Sequence, residues 1–263
     1  MTRFGRATSV ERTAEGRYRA ELDEGFGFGV ALNGGYLMAT LLRATVDASS
    51  HLHPVATAVN FLRPGRPGPA EIRIEPLKDG RTAAMARASL VQDGDRILEA
   101  LVTTATLSPE AVPAYSGSAP AMPPLQECQK SGVGDVVRGF PAQVDMRFDP
   151  AVMGWLDGTP TGRPEMRAYF KLREDDVPDA YVLALAIDAL IPVVSNIGLT
   201  GWSPTVELSW HLRALPAPGW LTVHGSGRLL SDGWFDENVE VWDAAGKLVA
   251  QSRQLARAAR PRA

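Results

Sequence analysis

The chain has 263 residues, 45% of them hydrophobic and 22% charged, with a formal net charge of −3. That is the composition of a globular protein of one or two domains, and its slightly acidic balance leaves no electrostatic footprint for nucleic acid. No apolar run reaches the ~18 residues of a membrane span, no signal-peptide core follows the N-terminus, and a single cysteine, Cys128, rules out an intrachain disulfide; the expected address is the cytoplasm.

In chain order, Gly16–Leu22 reads as a strand, and Asn33 to about Ala48 as a buried helix apolar almost all round. Strand-like runs follow at Val55–Leu62, Ala70–Pro76, Ala83–Gln92 and Ile97–Leu107. From Ser108 to about Pro141 the composition changes, with prolines at 109, 113, 120, 123, 124 and 141. Proline removes backbone donors and fixes φ, so this stretch is expected to be a surface linker. Beyond it come a strand at Glu165–Leu172, an apolar helix from about Asp179 to Val194, and strands at Thr205–Leu212, Trp220–Leu230, Phe235–Trp242 and Leu248–Ala256. The basic tail of Arg253, Arg257, Arg260 and Arg262 is expected to be solvated.

The second series repeats the first. Leu62-Arg63 is echoed by Leu212-Arg213, Asp79-Gly80 by Asp232-Gly233 and Asp93-Gly94 by Ala245-Gly246, at an offset of about 150 residues. Such pairs supply the positive φ that tight hairpins need. The expected architecture is α+β: two halves, each an antiparallel sheet around one long central helix, pairing edge to edge so that exposed edges vanish. The expected divisions are 1–108, a linker at 109–141, and 142–263.

His53-Pro-Val-Ala-Thr-Ala-Val-Asn-Phe-Leu-Arg-Pro-Gly65 resembles a strand of the bacterial acyl-CoA thioesterase II family that ends in Phe-Leu-Arg-Pro-Gly. Asp79-Gly80-Arg81 and the Val91–Ile97 hairpin are similar to that family's next turns. Ala186-Ile187-Asp188, the Pro204–Trp210 strand, and Gly246–Ala250 followed by Gln254 resemble later segments in the same order. The resemblance covers nearly the whole chain outside the linker. It implies a double hotdog fold that hydrolyses acyl-CoA thioesters without a metal or cofactor, CoA being part of the substrate. It places the family's Asp/Thr/Gln set on Asp188, Thr205 and Gln254, and it favours a homodimer or tetramer. Two departures stand out. The connection from Asp188 to Thr205 is shorter than the family's, and Glu207-Leu208 stands where the family has Asp-His.

Read on their own, these residues carry more than one meaning. Asp188 is the single charge in its apolar segment, and a buried carboxylate costs several kcal/mol unless hydrogen-bonded. It is either a structural acid or an active one. A hydroxyl and an amide such as Thr205 and Gln254 can hold a water without competing for its proton. Asn33-Gly34-Gly35 is a plain N-cap, a place where a ligand or oxyanion approaches backbone amides, or both. The four histidines lack zinc spacing, and no Gly-x-Ser-x-Gly elbow is present. Two other readings stay open: an acyl-CoA-binding hotdog protein without catalysis, and a hotdog hydratase or dehydratase, which the absence of histidine from either helix disfavours.

Overall fold

In the computed structural model, which describes residues 2–29, 31–130, 138–174 and 177–259, alternation in the sequence becomes alternation across a sheet. The strand Arg17–Leu22 turns Tyr18, Ala20 and Leu22 inward. The helix Gly34–Asp47 follows, then the antiparallel strands His53–Phe61, Gly68–Lys78, Ala84–Gln92 and Asp95–Ala105. The second half repeats the series with Glu165–Leu172, the helix Ala180–Ala186, Thr205–Leu212, Leu221–Ser226, Trp234–Trp242 and Leu248–Arg257.

The strand order is the same in both halves. From the outside inward, the strand before the helix is followed by the third, fourth and fifth strands, and the strand directly after the helix comes last. Those last strands, His53–Phe61 and Thr205–Leu212, pair antiparallel at the centre, with Ser209 opposite Ala58 and Trp210 opposite Thr57. The halves pair edge to edge, and among the described residues the outcome is one continuous 14-stranded sheet in place of the two expected, because this pairing satisfies both inner edges.

Turn chemistry follows the sequence in part. Asp93-Gly94 and Asp232-Gly233 both take left-handed φ, at 50° and 84° and at 51° and 72°. Asp79-Gly80 does not, since the connection from Lys78 to Ala84 is long enough to need no two-residue turn. The run 106–124 carries no helix or strand, but Gln129–Lys130 joins the sheet beside Val144–Phe148, so the linker's end is part of the fold. Gly132 and Gly134 of the linker, and Arg260 and Arg262 of the tail, lie outside the described residues. Among the described residues no helix is long and apolar enough to cross a membrane.

The first helix buries nearly its whole circumference and packs on all four strands that follow it. The second departs from expectation. It ends at Ala186, well before Val194, and a separate 3-10 turn spans Val193–Ile197 beyond Pro192. Asp188 therefore lies past the helix end. The early stop is stabilised from outside the segment, because the Asn33 side chain takes up the freed Asp188 carbonyl at 2.9 Å. The two helices lie antiparallel. The glycines that open the first meet the end of the second, while Arg43 near the end of the first stacks over Tyr181 at 4.0 Å and faces Asp179 at 3.8 Å.

Candidate active site

Asp188 is held by the opening of the first helix. The Gly35 amide donates to its Oδ2 at 2.8 Å and Asn33 Nδ2 donates to the same oxygen at 3.1 Å. Asn33 does this while capping its own helix, its Oδ1 accepting from the Tyr36 amide at 2.9 Å. A helix N-terminus favours an anion, and here the anion is a side chain of the other half. Burial nevertheless dominates. It pushes the Asp188 carboxyl up from 3.8 to about 6 against the opposing pull of the Gly35 and Gly34 amides and Asn33.

Glycine is required at both helix-opening positions. A Cβ on Gly35 would lie 2.6 Å from the Ala184 carbonyl oxygen and 3.0 Å from Asp188 Cβ. One on Gly34 would meet the Phe61 ring at 2.9 Å and Asp188 Oδ2 at 3.0 Å. The N-cap is present, and what lies against the bare amides is the Asp188 side chain. The Gly35 amide, expected to be available to an oxyanion, is taken by that carboxylate.

Thr205 and Gln254 meet across neighbouring strands. Thr205 opens its strand beside a register shift, and its hydroxyl donates to Gln254 Oε1 at 2.9 Å. Gln254, 7% exposed, points inward from Leu248–Arg257. With its carbonyl oxygen held by the hydroxyl, the amide's NH₂ is the end left to act as donor.

These side chains share one cavity between the halves. Asn33, Gly34, Phe61 and Arg63 line it from the first half, and Asp188, Thr205, Glu237 and Gln254 from the second; Gly35 lies behind the wall. Its volume is about 930 Å³, near the upper end of the usual small-molecule range. Most of its surface is apolar, with Leu37, Phe140, Phe148, Leu190 and Phe235 contributing. Trp202, 59% exposed, stands among the lining residues, as do two arginines, Arg63 and Arg138. The sequence reading did not single out Glu237, Arg63 or Arg138 as site residues.

Other candidates take structural positions. His51 bonds the Gly80 carbonyl, His53 accepts from the Leu107 amide, and His224 pairs with Glu165. None of the four histidines lines the cavity. Cys128 is buried, its thiol directed at the Pro123 carbonyl, and burial raises it above its ordinary range. Where the thioesterase II resemblance has Asp-His, Leu208 is fully buried and Glu207 accepts from Ser209; neither lines the cavity. Among the described residues no cluster of three or more His, Cys, Asp or Glu could hold a metal ion.

Comparison with known proteins gives the family and the fold. A family model described as the acyl-CoA thioesterase N-terminal domain matches residues 22–108, and one described as the acyl-CoA thioesterase C-terminal domain matches 109–258. A solved structure of a candidate thioesterase II from Thermobifida fusca is 48% identical, covers 99% of this chain and 98% of its own, and superposes with a TM-score of 0.92. An uncharacterised protein of Mycobacterium tuberculosis is 29% identical over 91% of this chain and 90% of its own. A protein of unknown function with a hot dog fold from Alicyclobacillus acidocaldarius, 20% identical, covers all of both chains at a TM-score of 0.87, which establishes the fold.

Proposed function

The chain belongs to the acyl-CoA thioesterase family, and from that premise we propose that it hydrolyses acyl-CoA thioesters in the cavity between its halves, with Asp188 as the base. The observation that carries this reading is a buried carboxylate fixed by a helix N-terminus on the wall of a large apolar cavity, with a hydroxyl–amide pair on the same wall. Asp188 takes the proton of a water as that water adds to the thioester carbonyl; the C–S bond then breaks, CoA leaves as the thiolate, and the proton held by Asp188 passes to that sulfur. The Gln254 NH₂ holds the water, and Thr205 fixes the amide in that orientation. The acyl group lies along the apolar lining. The CoA phosphates lie toward Arg63 and Arg138, the cations at the cavity.

We read the chain as two hotdog halves, 1–108 and 142–263, each built on its central helix and joined by 109–141, and the reaction as independent of metal. A homodimer or tetramer is proposed through the sheet's outer face, where Met85 and Leu101 are exposed on adjacent strands.

The test is a panel of acyl-CoAs with a thiol-reactive dye, run with and without a chelator. Release of free CoA that persists with the chelator and collapses in Asp188→Asn supports the reading. Binding of acyl-CoA without thiol release sinks it in favour of a binding protein. Loss of conjugated absorbance without thiol release points to a hydratase.

A further inference from the structure

Glu237 is a second acid on the wall of this cavity, and the water-activating set of Asp188, Thr205 and Gln254 does not use it. It lies on the inward face of Trp234–Trp242, in line with Phe235, Val239 and Val241, and is 3% exposed. Directly opposite in register stands Gln254. Its Oε2 accepts from the Val193 amide at 3.0 Å, at the start of the turn after Pro192.

The charged and titratable groups around it are few. Asp188 faces it from the segment after the second helix, and Asp236 precedes it on its own strand; both oppose its ionisation. The turn Val193–Ile197 brings none. On the neighbouring strands Arg253 is exposed, Arg257 donates to the Asp232 carbonyl, and His224 is bound to Glu165. Glu207, two strands away, is bound by Ser209. Among the described residues, the cations lining the cavity are Arg63, exposed and 3.4 Å from Asp95, and Arg138, also exposed.

The two acids therefore have unequal support. Asp188 has helix-opening amides and Asn33, whereas Glu237 has one amide donor. Burial first, and the Asp188 charge in addition, push Glu237 up from 4.5 to about 7, while Asp188 reaches about 6. When two acids share an apolar cavity, the better-supported one takes the charge and the other keeps its proton. A thioester under attack develops charge on its carbonyl oxygen, and the Gly35 amide is engaged by Asp188.

We propose that Glu237 is a second working acid of this site, a neutral carboxyl whose O–H donates a hydrogen bond to the thioester carbonyl oxygen while Asp188 takes the proton of the attacking water. This rests on the thioesterase reading. It gives the opposed environments of the two carboxyls separate tasks, one as base and one as donor. A role limited to holding the Val193 amide would need only an oxygen at that place, which glutamine also provides.

The experiment compares kcat/KM against pH for wild type, Glu237→Gln and Glu237→Leu on an acyl-CoA that the wild type cleaves. The wild type is expected to give a bell, rising as Asp188 ionises and falling as Glu237 does. Glutamine cannot ionise, so Glu237→Gln keeps the acid limb and loses the alkaline one. Its plateau falls about tenfold, because an amide is a weaker donor, and Glu237→Leu loses about 10²-fold at every pH. Infrared spectra of the wild type at neutral pH should show a protonated carboxyl stretch that is missing from Glu237→Gln. A wild-type chain that releases no thiol overturns the function reading and this inference with it. A chain that releases thiol but whose Glu237→Gln variant keeps the alkaline limb, or whose wild-type spectrum lacks the band, overturns this inference alone.

Discussion

Replacing Asp188 by asparagine should cut turnover by orders of magnitude and make the protein more stable at alkaline pH. The carboxyl is raised from 3.8 to about 6 in the folded chain. For an acid shifted upward, the folded state binds the proton more tightly than the unfolded one. Its contribution to stability is fully present below about pH 4 and is lost as pH rises through about 6. The shift corresponds to about 3 kcal/mol, all of it withdrawn by pH 8. Asparagine cannot ionise and keeps an oxygen to accept from the Gly35 amide, but its own NH₂ needs a partner, which reduces the gain. The expected net effect is a stabilisation of about 1–3 kcal/mol at pH 8 and close to none at pH 4. A chain of this size should then melt several degrees higher, at about 2–4 °C per kcal/mol. Loss of the base should cost about 10²–10⁴ in kcat. Urea titrations at pH 4 and pH 8, beside thiol release, check both halves of the argument. A variant less stable than wild type at pH 8, or one retaining turnover within tenfold, would refute it.

Three further outcomes are expected. Gly35→Ala forces a methyl against the Ala184 carbonyl and Asp188, so thermal melts should show a loss of about 1–3 kcal/mol despite alanine's better helix propensity, and thiol release should fall with it. Gln254→Ala removes the water-holding amide and leaves the Thr205 hydroxyl without its acceptor; kcat should drop about 10²-fold with a smaller change in KM. Light scattering in micromolar solution should give a mass that is a multiple of 28.3 kDa; a monomer alone would remove the proposed outer-face association.

What the sequence made legible was periodic or out of place. Glu165–Leu172 alternates along its whole length, and the structure places every second residue inward. Asp188 was visible as a charge in an apolar run. Its partners were not, because Asn33 and Gly35 lie 155 and 153 positions away and only the pairing of the halves brings them close. The same distance hid the end of the second helix: Pro192 marks a stop, but the actual one comes earlier, where Asn33 accommodates the freed carbonyl. Glu237 did leave a signal. Phe235, Glu237, Val239 and Val241 form one face of a strand, and a carboxylate on an apolar face invites the question that Asp188 raised. The single continuous sheet was half legible: edge pairing was expected, and its result, one sheet in place of two, follows from that pairing.

The antiparallel crossing of the two helices has a consequence for stoichiometry. The crossing has two ends that differ. At one, an acid sits on helix-opening amides beside the cavity; at the other, the Arg43 guanidinium lies over the Tyr181 ring. The two halves, alike in strand order, are thus unequal partners, one lending glycine amides and the other the acid. A saturating titration with an uncleavable acyl-CoA analogue should accordingly stop at one molecule per chain, and neither half, expressed alone, would inherit a fraction of the activity.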